Sequence, residues 1–588
     1  MTNDKMWARA GESARSWAVT AGWGIGVAAG VLGLLGCGGA APKGRFPTRD
    51  DLMSLSAAPP PQHVFDRGNV DAEAFELSAP LPEMADGGAV EAEGDWQKLL
   101  GRAIANKPMV VASRGMECAA RQVAAFVLER EALPAQPVVR FIAARCGVPT
   151  GSFGMGYRGG EVPAGATEES IYAEWAGEVE KDLAGTIGAG ARFVGIGVAR
   201  KEKRAAVVFV TARREARIEA VPLVPVDGKV VLKGELVGAG AASIRALVTR
   251  GTFGFEECIR DIDVELPRFV VECPVAAEDA TARVELAAFQ EGRELGDSVI
   301  DLRVYPAGAP VNAYSKRAGE AAGATDAGAL GAALLERING IRKEAGMGAL
   351  RVSEAENRTA VRLAPYYFAA VSGNADAVAA DRIALGLLAG WEVEGEVRQG
   401  HFTSMWIGQR APGALVEATI DSPFGRETLL DPEASVVAIG PVVDGETLGA
   451  VFSAYSTMGS VGRGELVSVV TARLAKLRGK IKRGAPEAVP ELDAVMADVV
   501  ARVEGGESLR EGLERLAARS AEAMRGHRVA TWSVVTPAAG KVEYPSELLS
   551  KARLRLGVGV ARYRPEGEPW TRLAVFFVVV EAGDAEYG

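Results

Sequence analysis

Hydrophobic residues along this chain recur at helical spacing in some stretches and form short extended runs in others. The three- and four-residue spacing of a helix with one buried face is found at 96–104, 118–131, 171–183, 465–481, 490–503 and 508–524. Strongly apolar runs follow helical blocks and predict strands at 193–200 and 205–211, 437–443 and 448–454, and 556–562 and 573–581. The glycine-rich stretch 151–160 is expected to be a loop.

Residues 221–306 have a different pattern, without an amphipathic stretch of helical length. Short β-rich runs recur at 229–237, 243–249, 268–273, 282–289 and 298–304, with Gly, Pro and Asp between them. Strands at this spacing predict a small antiparallel, immunoglobulin-like β-sandwich. Residues 307–327, rich in Gly and Ala, are expected to be a linker, and the proline-rich residues 37–95 a flexible tether.

The composition limits the class of protein. At 588 residues the chain exceeds one hydrophobic core, so three to five domains are expected. The formal net charge of −10 comes without a basic cluster, which argues against a nucleic-acid partner. The only histidines are His63, His401 and His527, so imidazole has few places in which to bind a metal or act as a base. No cofactor is expected.

The first 37 residues indicate export and anchoring. Lys5, Arg9 and Arg15 precede 19 uncharged residues, 18–36, which end in Leu-Leu-Gly before Cys37. A basic start, an apolar run and a small residue before the cut are typical of a signal peptide. Cysteine in this place resembles a bacterial lipobox, in which Cys37 becomes a lipid-modified N-terminus carrying acyl chains such as palmitate. The alternative is an uncleaved membrane anchor, because 19 apolar residues can just span a bilayer.

Four further cysteines suit an exported chain. An even number predicts two disulfides, and pairing within domains joins Cys118 to Cys146 and Cys258 to Cys273. The alternative is four buried thiols. Spacings of 28 (146 − 118) and 15 (273 − 258) without nearby histidines do not fit a zinc site.

Residues 334–456 carry an ordered set of motifs. L-x-x-x-N-x-x-R-x-x-x-G ends at Gly346, S-P-F-G-R-E-T-L-L spans 422–430, and an apolar strand with Gly440 follows. This set resembles the CAP superfamily of cysteine-rich secretory, antigen-5 and pathogenesis-related proteins, whose bacterial members read S-P-x-H-R-x-x-L-L. The matching residues are Asn339, Arg342, Gly346, Ser422, Pro423, Arg426 and Leu430. The resemblance implies an α-β-α sandwich, with Arg342 and Arg426 bracing the fold.

The residues that give many CAP proteins their metal or catalytic cleft do not all match. The family has two histidines there; Leu363 and Gly425 stand in their places. A second match, G-H-F-T-S-M-W at 400–406, is similar to the eukaryotic signature G-H-[FY]-T-Q-x-x-W, and only one of the two signatures can be in register. If His401 is in register, a cleft with nearby glutamates is possible; the candidates are Glu392, Glu394, Glu396 and Glu417. Alternation along 391–397 predicts a strand with three of these on one face, although that face is also the ordinary solvent side of a strand.

The strand glycines recur in one context. G-I-G-V-A-R at 195–200 and G-V-G-V-A-R at 557–562 both follow helical blocks, and 437–443 holds the same place in the middle. Such glycines let a strand pass close beneath a helix. The expectation is a multidomain α+β protein with degenerate CAP-like domains at 96–218 and 462–582, the clearer one at 328–456, and the sandwich at 221–306. The alternative is three unrelated α+β modules.

These observations favour a lipid-anchored bacterial envelope protein, in the outer membrane and facing the periplasm or the surface, that binds rather than catalyses. Its ligand class stays open between lipid, peptide and glycan. One alternative is a metal-assisted hydrolase that uses His401 and the glutamates. Another is a structural spacer between the membrane and a partner.

Overall fold

The computed structural model describes residues 30–31, 46–60, 64–65, 74–78, 81–85, 94–150, 153–187, 192–237, 241–290, 296–308, 310–315, 324, 326–372, 375–459, 462–565 and 568–581. Cys37, His63 and most of the predicted signal peptide and tether lie outside these residues. The described residues within Met1–Leu32, Pro47–Leu388 and His401–Ala454 form one compact unit. Those within Gly33–Phe46, Ala389–Gly400 and Tyr455–Gly588 form a second. Throughout the described ranges, helices lack the combination of length and apolar character that a membrane crossing needs.

The architecture is mixed α+β, as predicted. Before residue 94 the described elements are short. They are β1 (Gly30–Val31), α1 (Arg49–Ser54), β2 (Ala74–Glu76) and β3 (Met84–Ala85). Thr48 and Asp51 form a capping box that starts α1, and Leu52 buries its side chain. Residues 74–76 pair with residues 313–315, and residues 84–85 pair with residues 221–222. The flexible tether predicted over 37–95 and the linker predicted over 307–327 are therefore wrong at these residues, because they form paired strands in which Phe75, for example, is buried.

The first module, residues 95–213, packs helices on both faces of a four-stranded sheet. Its elements are α2 (Asp95–Ile104), β4 (Val110–Ala112), α3 (Arg114–Arg130), α4 (Gln136–Arg145), β5 (Phe153–Glu161), α5 (Glu168–Thr186), β6 (Arg192–Lys201) and β7 (Arg204–Arg213). The loop predicted at 151–160 is wrong, because β5 pairs with β7 along nearly that whole stretch. Gly156 makes this possible: a Cβ there would lie 2.2 Å from the ring of Phe209 on β7.

Two four-stranded antiparallel sheets follow and share one hydrophobic core. Their eight strands are β8 (Ala216–Ile218), β10 (Lys229–Leu236), β11 (Ala241–Arg250), β12 (Gly254–Glu257), β13 (Ile259–Arg260), β14 (Arg268–Pro274), β15 (Ala282–Gln290) and β16 (Asp297–Val304). Two short strands of this region, β9 (Val221–Pro222) and β17 (Ala313–Ser315), pair instead with β3 and β2. The sheet orders are β13-β14-β10-β8 and β12-β11-β15-β16. Leu232 and Val271 from one sheet meet Val284 and Leu302 from the other. Disulfides join Cys258 to Cys273 and Cys118 to Cys146, so both predicted pairs are confirmed.

The central and C-terminal modules are again helices on a sheet. The central elements are α6 (Ala327–Glu344), β18 (Arg351–Val352), α7 (Glu354–Val371), α8 (Ala377–Ala389), β19 (Val397–Ile407), α9 (Pro412–Ile420), α10 (Pro423–Leu430), β20 (Val436–Asp444) and β21 (Thr447–Thr457). The C-terminal elements are α11 (Arg463–Lys480), β22 (Glu487–Ala488), α12 (Asp493–Glu504), α13 (Leu509–Ala523), β23 (Arg528–Thr536), α14 (Ser546–Ser550), β24 (Arg555–Tyr563) and β25 (Arg572–Glu581).

All three helix-and-sheet modules have the same strand order. When the four strands of each module are numbered along the chain, they lie side by side in the order first, third, fourth, second: β4-β6-β7-β5, β18-β20-β21-β19 and β22-β24-β25-β23. The central sheet has a fifth strand, because β1 pairs with β19 at its edge. The first strand is short and parallel to the third in each. The third strand also passes under the second helix at a glycine. A Cβ on Gly195 would lie 2.2 Å from the Met116 backbone, and one on Gly440 2.4 Å from the Ala360 carbonyl oxygen.

Candidate functional site

The segment 422–427, where the chain resembles the CAP signature, is packed against the β-sandwich. Ser422 is the N-cap of α10, and its Oγ accepts a hydrogen bond from the Gly425 N–H at 3.3 Å. The same hydroxyl donates to Glu285 of β15 at 2.6 Å. Both side chains are buried, so this bond lies between two domains within the first unit rather than in an open cleft.

Burial dominates the electrostatics of Glu285. Desolvation raises the pKa of this carboxyl above its usual value, and the nearby Arg283 opposes the shift. Ser298 Oγ also donates to it, at 3.0 Å. Two hydroxyl donors and one guanidinium therefore hold a carboxyl that has almost no contact with water.

The surroundings of Gly425 leave no space for a side chain. An ideal Cβ there would lie 1.9 Å from the carbonyl oxygen of Thr419. The preceding Phe424 is fully buried and packs with Leu247, Ala287 and Phe289 of the sandwich. The backbone at this point is therefore shaped for packing against the sandwich, not for presenting an imidazole.

Arg426 closes the segment by holding backbone carbonyls. Its Nε donates to Ile420 at 2.8 Å, and its Nη1 donates to Gly251 at 2.9 Å and Gly254 at 2.7 Å. The last two carbonyls belong to the turn between β11 and β12 of the sandwich. Arg426 therefore fastens the helix to that turn.

Glu427 forms a buried ion pair with Arg245 of β11, with distances of 2.8 and 3.0 Å to the two guanidinium nitrogens. Arg245 also binds Glu257 at 2.9 Å. Burial alone would lower the pKa of Arg245, but the two carboxylates more than offset it, so the pKa lies above its usual value.

His401 lies beside this ion pair, in the middle of β19. Its Nδ1 is 3.9 Å from a Glu427 oxygen and its Nε2 is 3.6 Å from an Asp431 oxygen. The ring is 1% exposed, and neither nitrogen has a hydrogen-bond partner among the described residues. Its acidic neighbours are thus Glu427 and Asp431, two residues that the sequence did not single out.

The glutamates proposed as its neighbours lie in other surroundings. Glu417 on α9 pairs with Arg337 at 2.9 Å, and Glu396 pairs with Arg562 at 3.0 Å. The strand predicted over 391–397 is wrong, because residues 391–396 form turns and β19 begins at Val397. Gly390 and Gly395 have positive φ angles of 66° and 91°, which an extended strand does not allow. Glu392, Glu394 and Glu396 therefore do not share a strand face.

Within the described ranges, no three His, Cys, Asp or Glu side chains are placed to hold a metal ion. Leu363 is fully buried on α7.

Arg342 braces the central module, and the C-terminal module has an equivalent that the sequence analysis missed. Arg342 Nε donates to Gly348 at 2.7 Å, and Arg478 Nε donates to Gly484 at 2.7 Å. Their Nη1 atoms donate to carbonyl oxygens of the helix that precedes the third strand of each module: Arg342 to Leu429 of α10, and Arg478 to Leu548 of α14. The sequence signal was present, since both arginines stand six residues before a glycine at the end of the module's first helix.

A second buried ionic cluster joins three domains of the first unit. Arg283 of β15 holds Asp301 with two bonds of 2.6 Å, and Arg303 pairs with Asp421 of the central module. Arg140 of the first module lies at this cluster and donates to the Met405 sulfur at 3.3 Å. Burial and the neighbouring Arg283 lower the pKa of Arg140 to about 10.

Comparison with known proteins adds no name to this arrangement. None of the models of known protein families matches the chain, and no curated protein sequence matches it either.

Proposed function

We propose that this protein is a lipid-anchored bacterial envelope protein, built from three diverged CAP-like domains and an immunoglobulin-like sandwich, that serves as a non-catalytic binding scaffold. The observation that carries the proposal is the use of 422–427. A segment that would line a reactive cleft in the family is instead consumed in an internal domain contact through Ser422, Arg426 and Glu427.

The repeated topology supports the CAP-like part of the proposal. Three modules share a strand order in which the first strand is short and parallel, and two share a buried arginine at the end of the first helix. Unrelated α+β modules have no reason to repeat both features. Duplication of one ancestral domain explains them together.

Loss of catalysis is supported by what occupies the two histidine positions. Leu363 has no ionisable group, and Gly425 has neither a side chain nor the space for one. General-base catalysis and zinc ligation both need a group that can bind a proton or a metal at such a position. The scaffold retains its shape through buried arginines that contact carbonyls instead.

His401 between Glu427 and Asp431 favours one second candidate, a metal-assisted hydrolase. Zinc measured by mass spectrometry in the purified full chain separates the two. The scaffold proposal expects less than about 0.1 zinc per chain in wild type, with His401→Ala unchanged. One zinc per chain that is lost in His401→Ala would overturn it. Gln409→Ala, which also replaces a polar residue by alanine eight positions after His401 (409 − 401), serves as the matched control.

The anchor is tested separately. Cys37→Ser is expected to move the protein from the membrane pellet to the soluble fraction, because each buried CH₂ of an acyl chain contributes about 0.8 kcal/mol to membrane binding. Cys118→Ser is the control, since it removes a sulfur without touching the lipid site. If the Cys37→Ser protein stays in the pellet, the apolar run itself is the anchor.

A further inference from the structure

The first module contains a cavity of about 280 Å³ that the site described above does not involve. It lies between α2, β4, the start of α3 and β6. Apolar side chains form most of its wall, among them Leu100, Ile104, Val110, Val194 and Ile196. Among the described residues, its polar side chains are those of Gln97, Ser113 and Glu117.

The cavity lies where this module departs from the other two. In the central and C-terminal modules, a fully buried arginine stands nine residues before the short first strand. It is Arg342 before β18 (351 − 342) and Arg478 before β22 (487 − 478). The same count from β4 reaches Gly101 (110 − 101), which lines the cavity. A Cβ added at Gly101 would meet no atom within 4 Å. The position that holds a buried arginine in the other two modules thus holds a glycine beside open space in this one.

Glu117 gives the cavity one hydrogen-bond acceptor. Its Oε1 accepts bonds from Gln97 at 3.2 Å and from Arg121 at 3.0 Å. Its Oε2 accepts none from the described residues. The side chain is 17% exposed, so a bond to it would be partly shielded from water.

The size and lining together define a ligand class. An apolar protein cavity of about 150 Å³ can bind benzene, and pockets for drug-sized ligands begin near 300 Å³. We propose that this cavity binds a small, mostly apolar molecule with one hydrogen-bond donor, which Glu117 accepts. The inference goes beyond the proposed function, because it needs neither the lipid anchor nor a CAP origin.

Three probes with one apolar body test the ligand class. They are 2-phenylethanol, 2-phenylethylamine and ethylbenzene, each titrated calorimetrically into the purified full chain. Both donors are expected to bind at least about tenfold more tightly than ethylbenzene, since a hydrogen bond to a charged acceptor strengthens binding by that order. Whichever of 2-phenylethanol and 2-phenylethylamine binds more tightly shows whether the ligand's donor is a hydroxyl or an ammonium group. Equal binding of all three, or no binding, would overturn the proposal.

Substitutions locate the site. Gly101→Leu fills the cavity and should weaken every probe at least about tenfold, while Gly340→Leu on α6 should leave binding unchanged. Gly340 is the matched control because it is also half-buried in a first helix with no atom near its Cβ position. Glu117→Leu should remove the preference for the donors over ethylbenzene.

Folding of each variant is checked by circular dichroism. All titrations use the same detergent, so that micelle uptake of a given probe is equal for every variant, and the free concentration of each probe is measured by dialysis, because micelles take up ethylbenzene more than the polar probes. A folded Gly101→Leu protein that binds the probes like wild type would place their site elsewhere and refute the inference.

Discussion

Replacing Gly425 by alanine tests whether the segment 422–427 is shaped by packing. The added Cβ would lie 1.9 Å from the Thr419 carbonyl oxygen, and real Cβ atoms essentially never come within 3.0 Å. The backbone must therefore move by about 1 Å in a contact that includes the fully buried Phe424. Overpacking of this kind costs about 1–3 kcal/mol, and we expect the upper end because a carbonyl cannot rotate away as a side chain can.

Gly413→Ala provides the control. Gly413 lies on the neighbouring helix α9, and an added Cβ there meets no atom within 4 Å. Alanine favours a helix over glycine, so this variant should be neutral or more stable by up to about 1 kcal/mol. The two substitutions add the same methyl group and should have opposite effects.

Hydrogen exchange followed by mass spectrometry is the suitable assay, because a chain of several domains does not unfold in one step. A local loss of about 3 kcal/mol corresponds to exchange about 100-fold faster. In Gly425→Ala this should appear in peptides covering α10 and β15, and not in peptides covering α3. Equal exchange in the Gly425→Ala and Gly413→Ala proteins would refute the packing argument.

Three further predictions concern buried groups. Arg342→Met and Arg478→Met should each destabilise their module by at least about 3 kcal/mol, measured by hydrogen exchange in peptides of that module, because several buried carbonyls lose their donor; Arg102→Met, at an exposed site, should leave exchange unchanged. Arg245→Met and Glu427→Leu should each cost about 3–5 kcal/mol, measured by hydrogen exchange in peptides covering β11 and α10, and the double variant should cost clearly less than their sum; additive losses would contradict the buried pair. Burial raises the pKa of Tyr544 to about 12. The neutral phenol therefore contributes its full stabilisation below about pH 10, the pKa of an unfolded tyrosine, and this contribution is lost as pH rises through 12. Tyr544→Phe should therefore flatten the decline in melting temperature over that range, and an unchanged decline would count against the assignment.

Local pattern predicted most of the secondary structure. The helix predicted at 96–104 is Asp95–Ile104, and the strand predicted at 573–581 is Arg572–Glu581. These elements bury one face or lie wholly in a core, so periodicity reports them directly. Two errors fell at glycines. Gly156 of β5 lies against the ring of Phe209 on the neighbouring strand, so the glycine-rich stretch is a strand and not a loop, and Gly395 interrupts the strand that alternation predicted.

The candidate site was less predictable because its partners come from distant parts of the chain. Ser422 and Glu285 are 137 positions apart, and Arg245 and Glu427 are 182 apart. The spacing of residues within the motif at 422–430 does not indicate that the β-sandwich packs against it, or which strands of the sandwich make the contact. For the same reason, His401 could be singled out as unusual, but its neighbours Glu427 and Asp431 could not.

The short parallel strand of each module has a consequence for how the chain is made. Val110 pairs with Arg192, Arg351 with Val436 and Glu487 with Arg555, which are 82, 85 and 68 positions later (192 − 110, 436 − 351, 555 − 487). At ribosomal rates of about 5–20 residues per second, several seconds pass before the partner of each strand exists. Until then the first helix has no complete sheet on which to bury its apolar side. Each module therefore folds only after its last hairpin has emerged.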